Sequence, residues 1–106
     1  MNEFASTEWL QIHRDDNGVI TVVGEIDMAG GPILEAAILQ SENEQPLVLD
    51  LKAVSFIDSS GLRSLLEASR RARARNTVVV LRDVGPEVAR LLDITGTTDQ
   101  FQVDLR

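Results

Sequence analysis

At 106 residues the chain has the length of one ordinary domain, and its 43% hydrophobic and 25% charged content is the balance of a globular protein. Cysteine is absent, which excludes disulfide frameworks, thiolate zinc sites and thiol redox sensing. The net charge of −7 is uneven, with 11 acidic and 2 basic residues up to Asp58 against 6 acidic and 8 basic after it.

Trp9, Gln11 and His13 alternate with Leu10, Ile12 and Arg14, the period of a first strand. Asp15-Asp16-Asn17-Gly18 follows, and Asn-Gly marks a tight hairpin because both residues tolerate positive φ. Val19 to Val23 reads as the returning antiparallel strand. Gly24 to Gly31 is a loop by its glycines. Pro32 suits a first helical turn, and Ile33, Leu34, Ala37 and Ile38 fall on one helical face.

Leu47-Val48-Leu49-Asp50-Leu51 is nearly continuous in hydrophobicity, the pattern of a strand buried on both faces. Val54 to Ile57 then leads into Asp58-Ser59-Ser60-Gly61-Leu62 and a helix running to about Ala74. Leu62, Leu65, Leu66, Ser69 and Ala72 share its inner face, while Arg63, Glu67, Arg70 and Arg71 share the outer one. Glu67 and Arg71 stand in the favourable i, i+4 orientation.

Val78 to Leu81 is a fourth strand. Gly85-Pro86-Glu87 starts a short helix with Val88, Leu91 and Leu92 inside, and Gly96 suits its left-handed stop. Phe101 to Val103 is a last short strand. The order β-β-α-β-α-β-α-β predicts an α/β fold: a mixed sheet of four to five strands with helices packed against it. One domain over residues 1–106 is expected, with its core at about 9–103.

No apolar run approaches a membrane span, and Met1 to Thr7 lacks the basic start and apolar stretch of a secretory signal. The expectation is a cytoplasmic protein with no membrane partner. The acidic balance disfavours nucleic acid, and the arginines between Arg70 and Arg75 spread around a solvated helix end. Two faces of unlike charge suit a protein partner instead.

The search for catalysis finds little. The single histidine, His13, lies in a strand with no acid beside it, whereas a hydrolytic triad needs a base in reach of its nucleophile. Phosphate-binding loops, dinucleotide fingerprints and zinc-protease motifs are absent. No enzyme activity, cofactor or metal site is expected. A serine hydrolase built on Ser59 or Ser60 is the reading a fluorophosphonate probe would test.

Asp58-Ser59-Ser60-Gly61-Leu62 carries the strongest signal. Asp58 and the serines suit a helix N-cap, where side-chain oxygens satisfy the free N–H groups of the first turn. Two hydroxyls and a carboxylate exceed what one cap needs, and the glycine after them leaves the hydroxyls sterically open. A helix start also favours an anion, phosphate included. If the second and third strands are neighbours, Asp27 emerges at the same end and flanks the serines; the other reading of Asp27 is a cap or a loop acid.

Val23-Gly24-Glu25-Ile26-Asp27, Leu49-Asp50-Leu51, Phe56 to Leu62 and Val88 to Gly96 together resemble a STAS domain. More narrowly, they resemble the single-domain bacterial anti-sigma-factor antagonists. The resemblance implies a partner switch. The unphosphorylated antagonist binds an anti-sigma factor that is also a serine kinase of the histidine-kinase-like ATPase fold, which frees the sigma factor. Phosphorylation of the residue matching Ser59 breaks that complex, and a PP2C-type phosphatase restores it.

Asp27, Asp58, Ser60 and Gly61 match the surroundings of that serine. Glu25, Asp27, Ser59, Ser60, Leu62, Arg63 and Glu67 form the expected contact edge. Arg63 and Arg75-Asn76 replace glycines common in relatives with a described kinase. The family also offers a non-switching reading, as a subunit of a stress-signalling scaffold or of a lipid-transporting ABC complex.

Overall fold

Asp15 organises the first hairpin. Its backbone carbonyl accepts from Gly18 N at 3.1 Å, and its Oδ1 accepts from the amides of Asn17 and Val19, both at 2.9 Å. Gly18 supplies the positive φ of 81° that the turn requires. The hairpin joins β2 (Leu10–Arg14) to β3 (Ile20–Ile26), paired antiparallel.

Beyond β3 the chain alternates helix and strand: α1 (Gly30–Ser41), β4 (Leu47–Ile57), α2 (Ser59–Ala74), β5 (Val79–Val84), α3 (Pro86–Thr95), a 3-10 turn (Thr98–Gln100) and β6 (Gln102–Leu105). Each strand after β3 joins its predecessor in parallel, as helical crossovers demand. The computed structural model describes residues 2–6 as backbone and residues 8–105 in full. The expected bounds of 1–106 thus include Met1, Thr7 and Arg106, which lie outside the described residues.

The α/β architecture and the predicted order hold, with one strand added. Asn2–Ser6 forms β1, an antiparallel partner of β2, so the sheet has six strands in the order β1-β2-β3-β4-β5-β6. The segment carries no strong alternation to announce itself; the unpaired edge of β2 gives it a ladder.

β4 differs from expectation in length and in burial. It runs through the Val54–Ile57 segment, and only one face is covered: Leu47, Leu49 and Leu51 are buried while Val48 and Asp50 are half-buried. Leu10, Ile12, Ile20 and Val22 join the same core, with Leu34, Ile38, Leu65 and Leu92 from the helices. Asp50 faces Arg82 across the open side at 3.3 Å.

The outer face of α2 is also less uniform than its sequence suggests. Glu67 pairs with Arg70 at 2.5 Å and not with Arg71. Arg71 turns instead to Glu42, the residue just past α1, at 2.6 Å, and Arg75 reaches the same carboxylate at 2.7 Å. Asn76 takes the left-handed conformation after α2, with φ of 59°, a role open to asparagine because its short polar side chain tolerates that region.

Candidate functional site

Ile26 and Ile57, the last residues of β3 and β4, face each other in parallel register. The chain leaves both strands at the same end of the sheet, so Asp27 and Asp58 occupy equivalent positions at the head of two adjacent loops. Asp58 N donates to Ile26 O at 3.2 Å and ties those loops together. The expectation that the two acidic segments emerge side by side is met.

Each acid caps a helix. Asp27 Oδ1 accepts from Ala29 N at 3.1 Å and Gly30 N at 2.9 Å, opening α1. Asp58 is the N-cap of α2, and its Oδ1 accepts from Ser60 N at 2.9 Å, Gly61 N at 3.1 Å and Ser60 Oγ at 2.6 Å. The Ser60 hydroxyl is the main cause holding the Asp58 carboxyl below its ordinary value, aided by the two amides and opposed by desolvation.

The serines therefore differ. Ser60 is half-buried and committed to Asp58, whereas Ser59 is exposed on the first turn of α2. Among the described residues nothing hydrogen-bonds the Ser59 side chain. Asp58 already takes the Ser60 and Gly61 amides, two of those that a helix start offers to an anion.

Gly61 serves packing, contrary to the expectation that it opens space around the hydroxyls. A Cβ there would lie 2.6 Å from Ile26 Cγ2, 2.8 Å from Ile26 O and 2.9 Å from Ile57 Cγ1. The glycine seats α2 against the strand ends. Leu62 is buried in the core at 6% exposure, so it supports the loop from beneath and presents no contact edge. Ser64, also buried, donates to Gly31 O at 3.1 Å and fixes the start of α1 against α2.

Gly24 positions the other rim. Its φ of 108° and its approach to the Trp9 carbonyl, 2.1 Å from an added Cβ, leave no room for a side chain. Glu25 N then donates to Trp9 O at 2.9 Å, which places Glu25 half-buried at the site end of β3 opposite Phe56. Arg63 is exposed, and Glu67 is half-buried beside Arg70, which lowers its carboxyl from the ordinary value through their hydrogen bond and charge.

Sequence reasoning missed the apolar rim. Met28, in the loop after Asp27, is 79% exposed, Phe56 is 44% exposed and Trp9 is 59% exposed. Phe56 and Met28 stand next to acids or serines in sequence, the one signal that might have flagged them. A groove of about 420 Å³ between α1 and α2 is lined by Met28, Pro32, Glu35, Ser60, Arg63 and Glu67, with Ser64 at its floor. A larger cleft of about 560 Å³ opens at the other end of the sheet, around Arg14, Asp15 and Glu42, and holds none of the expected site residues.

His13 pairs with Thr21, five residues before Ile26 on β3 and thus roughly 16 Å from the serine end along the strand. It cannot serve Ser59 as a base, which removes the hydrolase reading. Among the described residues no cluster of three or more acidic, histidine or cysteine side chains is placed to hold a metal ion. No described helix is long and apolar enough to cross a membrane.

A mixed sheet, parallel from β3 onward through sequential crossovers, with an acid-capped serine turn at the C-terminal ends of β3 and β4, defines the class. The STAS domain family model matches residues 9–106, and the chain belongs to that family. Within it, the chain is 34% identical over 93 residues to the anti-sigma-B factor antagonist of Listeria monocytogenes, covering 85% of this chain and 82% of that one. It is also similar to the crystal structure of an anti-sigma factor antagonist from Mycobacterium paratuberculosis, at 34% identity, TM-score 0.69 and coverage of 90% and 83%. The Bacillus cell fate determinant SpoIIAA in its phosphorylated form shares the fold at TM-score 0.60 and 19% identity, with 92% of each chain covered.

Proposed function

We propose that this chain is an anti-sigma-factor antagonist whose grip on its anti-sigma factor is released by phosphorylation of Ser59. It acts in the cytoplasm and catalyses no reaction itself. The observation that carries the reading is the division of labour at the head of α2, where Ser60 is bonded to Asp58 and Ser59 is left exposed. Relatives named as anti-sigma-factor antagonists support it, as does a member of the fold captured with phosphate attached.

Glu25, Asp27, Arg63, Glu67 and the exposed apolar residues Met28 and Phe56 form the contact rim around Ser59. Asp58, Ser60 and Gly61 hold the serine turn in place without touching the partner. A phosphate adds about −1.5 to −2 charges between Asp27 and Asp58, and like-charge repulsion in a desolvated interface then favours release. The fold survives because the capping bonds of α2 belong to Asp58 and not to Ser59. The partner is a serine kinase of the histidine-kinase-like ATPase fold, with a PP2C-type phosphatase resetting the switch.

The test uses three baits in a lysate of the native organism: the parent chain, Ser59→Ala and Ser59→Glu. Capture of a histidine-kinase-like ATPase by the first two and not by the third is expected. Equal capture by all three of an ABC ATPase or a large signalling complex would replace the switch with a structural-subunit role.

A further inference from the structure

Resting on that reading, we infer that the outer face of α1 is a second docking strip for the same anti-sigma factor. It takes the apolar face of a partner helix flanked by Lys or Arg. An exposed helix normally turns a polar face to water. α1 does not: Glu35 is its only charged residue, and Pro32, Ala36 and Leu39 are exposed on the face opposite the buried Gly30, Leu34, Ala37 and Ile38. At 3.6 residues per turn those three lie within about 60° of arc, forming a strip one side chain wide. Leu39 is 51% exposed, and Met28, in the loop just before the helix, continues the strip at 79%.

The strip leads into the serine site. Met28 and Pro32 line the same groove as Ser60 and Arg63, so a partner seated over Ser59 meets the head of α1 without a gap. Charge selects the occupant. Glu35, Glu67 and Arg63 line the groove, with Arg71 3.8 Å from Glu35 and Arg70 bound to Glu67, and the head of the site adds Glu25, Asp27 and Asp58, so five acids meet three cations. A basic flank on the partner complements that border. A second copy of this chain brings a net charge of −7 against −7, which opposes the pairing of two like faces.

The experiment measures binding of the purified ATPase recovered above to the parent chain, Leu39→Ala, Ala36→Arg and Ile94→Ala. Ile94, 67% exposed against 51% for Leu39, is an apolar residue on α3 and not on α1. Arginine and alanine are good helix formers at exposed positions, so all variants should fold, which thermal unfolding checks. Leu39→Ala and Ala36→Arg should each weaken binding about tenfold, with Ile94→Ala unchanged. Parental affinity in both strip variants, while Ser59→Glu still abolishes binding, would overturn the strip and leave the switch standing. A dimer in light scattering that Leu39→Ala dissolves would assign the strip to a second copy and overturn the inference. No binding by the parent chain would overturn both readings together.

Discussion

Ser60 Oγ and the Asp58 carboxylate are joined by a 2.6 Å hydrogen bond that spends one hydroxyl of the serine pair on the other's surroundings. The bond stiffens the N-cap and settles which serine faces outward. Ser60→Ala should raise the Asp58 carboxyl toward its ordinary value, read by carbon-detected NMR titration. It should also cost about 1 kcal/mol of stability, the net worth of one hydrogen bond.

Asp58 links the cap to acid stability. Its carboxyl sits lower in the folded chain than in the unfolded one, so the folded state binds fewer protons. The resulting stabilisation is complete above the ordinary carboxyl value of 3.8 and is lost as pH falls through the lower folded value. Urea unfolding from neutral pH downward should therefore show a steeper loss below pH ~4 in the parent than in Asp58→Asn. Asp58→Ala should cost about 1 kcal/mol at neutral pH through loss of the cap.

Gly61→Ala forces a methyl into Ile26 and Ile57 at distances no ordinary contact reaches. Backbone and core atoms make up that wall, so relief requires α2 to move. A loss of about 1–3 kcal/mol is expected in chemical denaturation, the usual cost of overpacking. Gly24→Ala should be worse, because positive φ and the Trp9 carbonyl act together there.

Glu42 is the keystone of a clasp between α1 and α2. Its side chain is 10% exposed and receives both Arg71 and Arg75. Glu42→Ala removes the carboxylate that two partly buried cations share, leaving Arg71 with Glu35 at 3.8 Å and Arg75 with Asn43 O at 3.0 Å, and should lower stability by about 1–2 kcal/mol, measured by urea unfolding. Glu67→Gln should change stability by less than about 0.5 kcal/mol, since Arg70 is exposed and the half-buried Glu67 keeps its side chain 40% exposed.

Local chemistry made much of this fold legible. The glycine stop at Gly96 and the amphipathic face of α2 act over a few residues and formed as read; the Asn17-Gly18 hairpin also formed, but with positive φ at Gly18 and not at Asn17. Illegible were the features that need a neighbour distant in the chain. The Arg71–Glu42 pair spans 29 residues, and a helical wheel offers Glu67 in its place. Gly61 looks like open space until β3 arrives beneath it. The one-sided burial of β4 depends on where the helices pack, which hydrophobicity along the strand does not encode. At the candidate site the serine turn and its two acids could be read, because helix capping is local; the apolar rim of Trp9, Met28 and Phe56 could not, because exposure is a tertiary property.

In the proposed switch, the capping of α2 by Asp58 also governs tempo. Ser59 sits on a turn whose capping bonds are made by Asp58 and not by Ser59 itself, so the cap need not rearrange for a phosphate to register. Such a device has no moving part of its own. Its response time would be set by how fast the kinase writes and how fast a repelled partner diffuses away, and the same rigid surface would be ready to rebind as soon as the phosphate is removed.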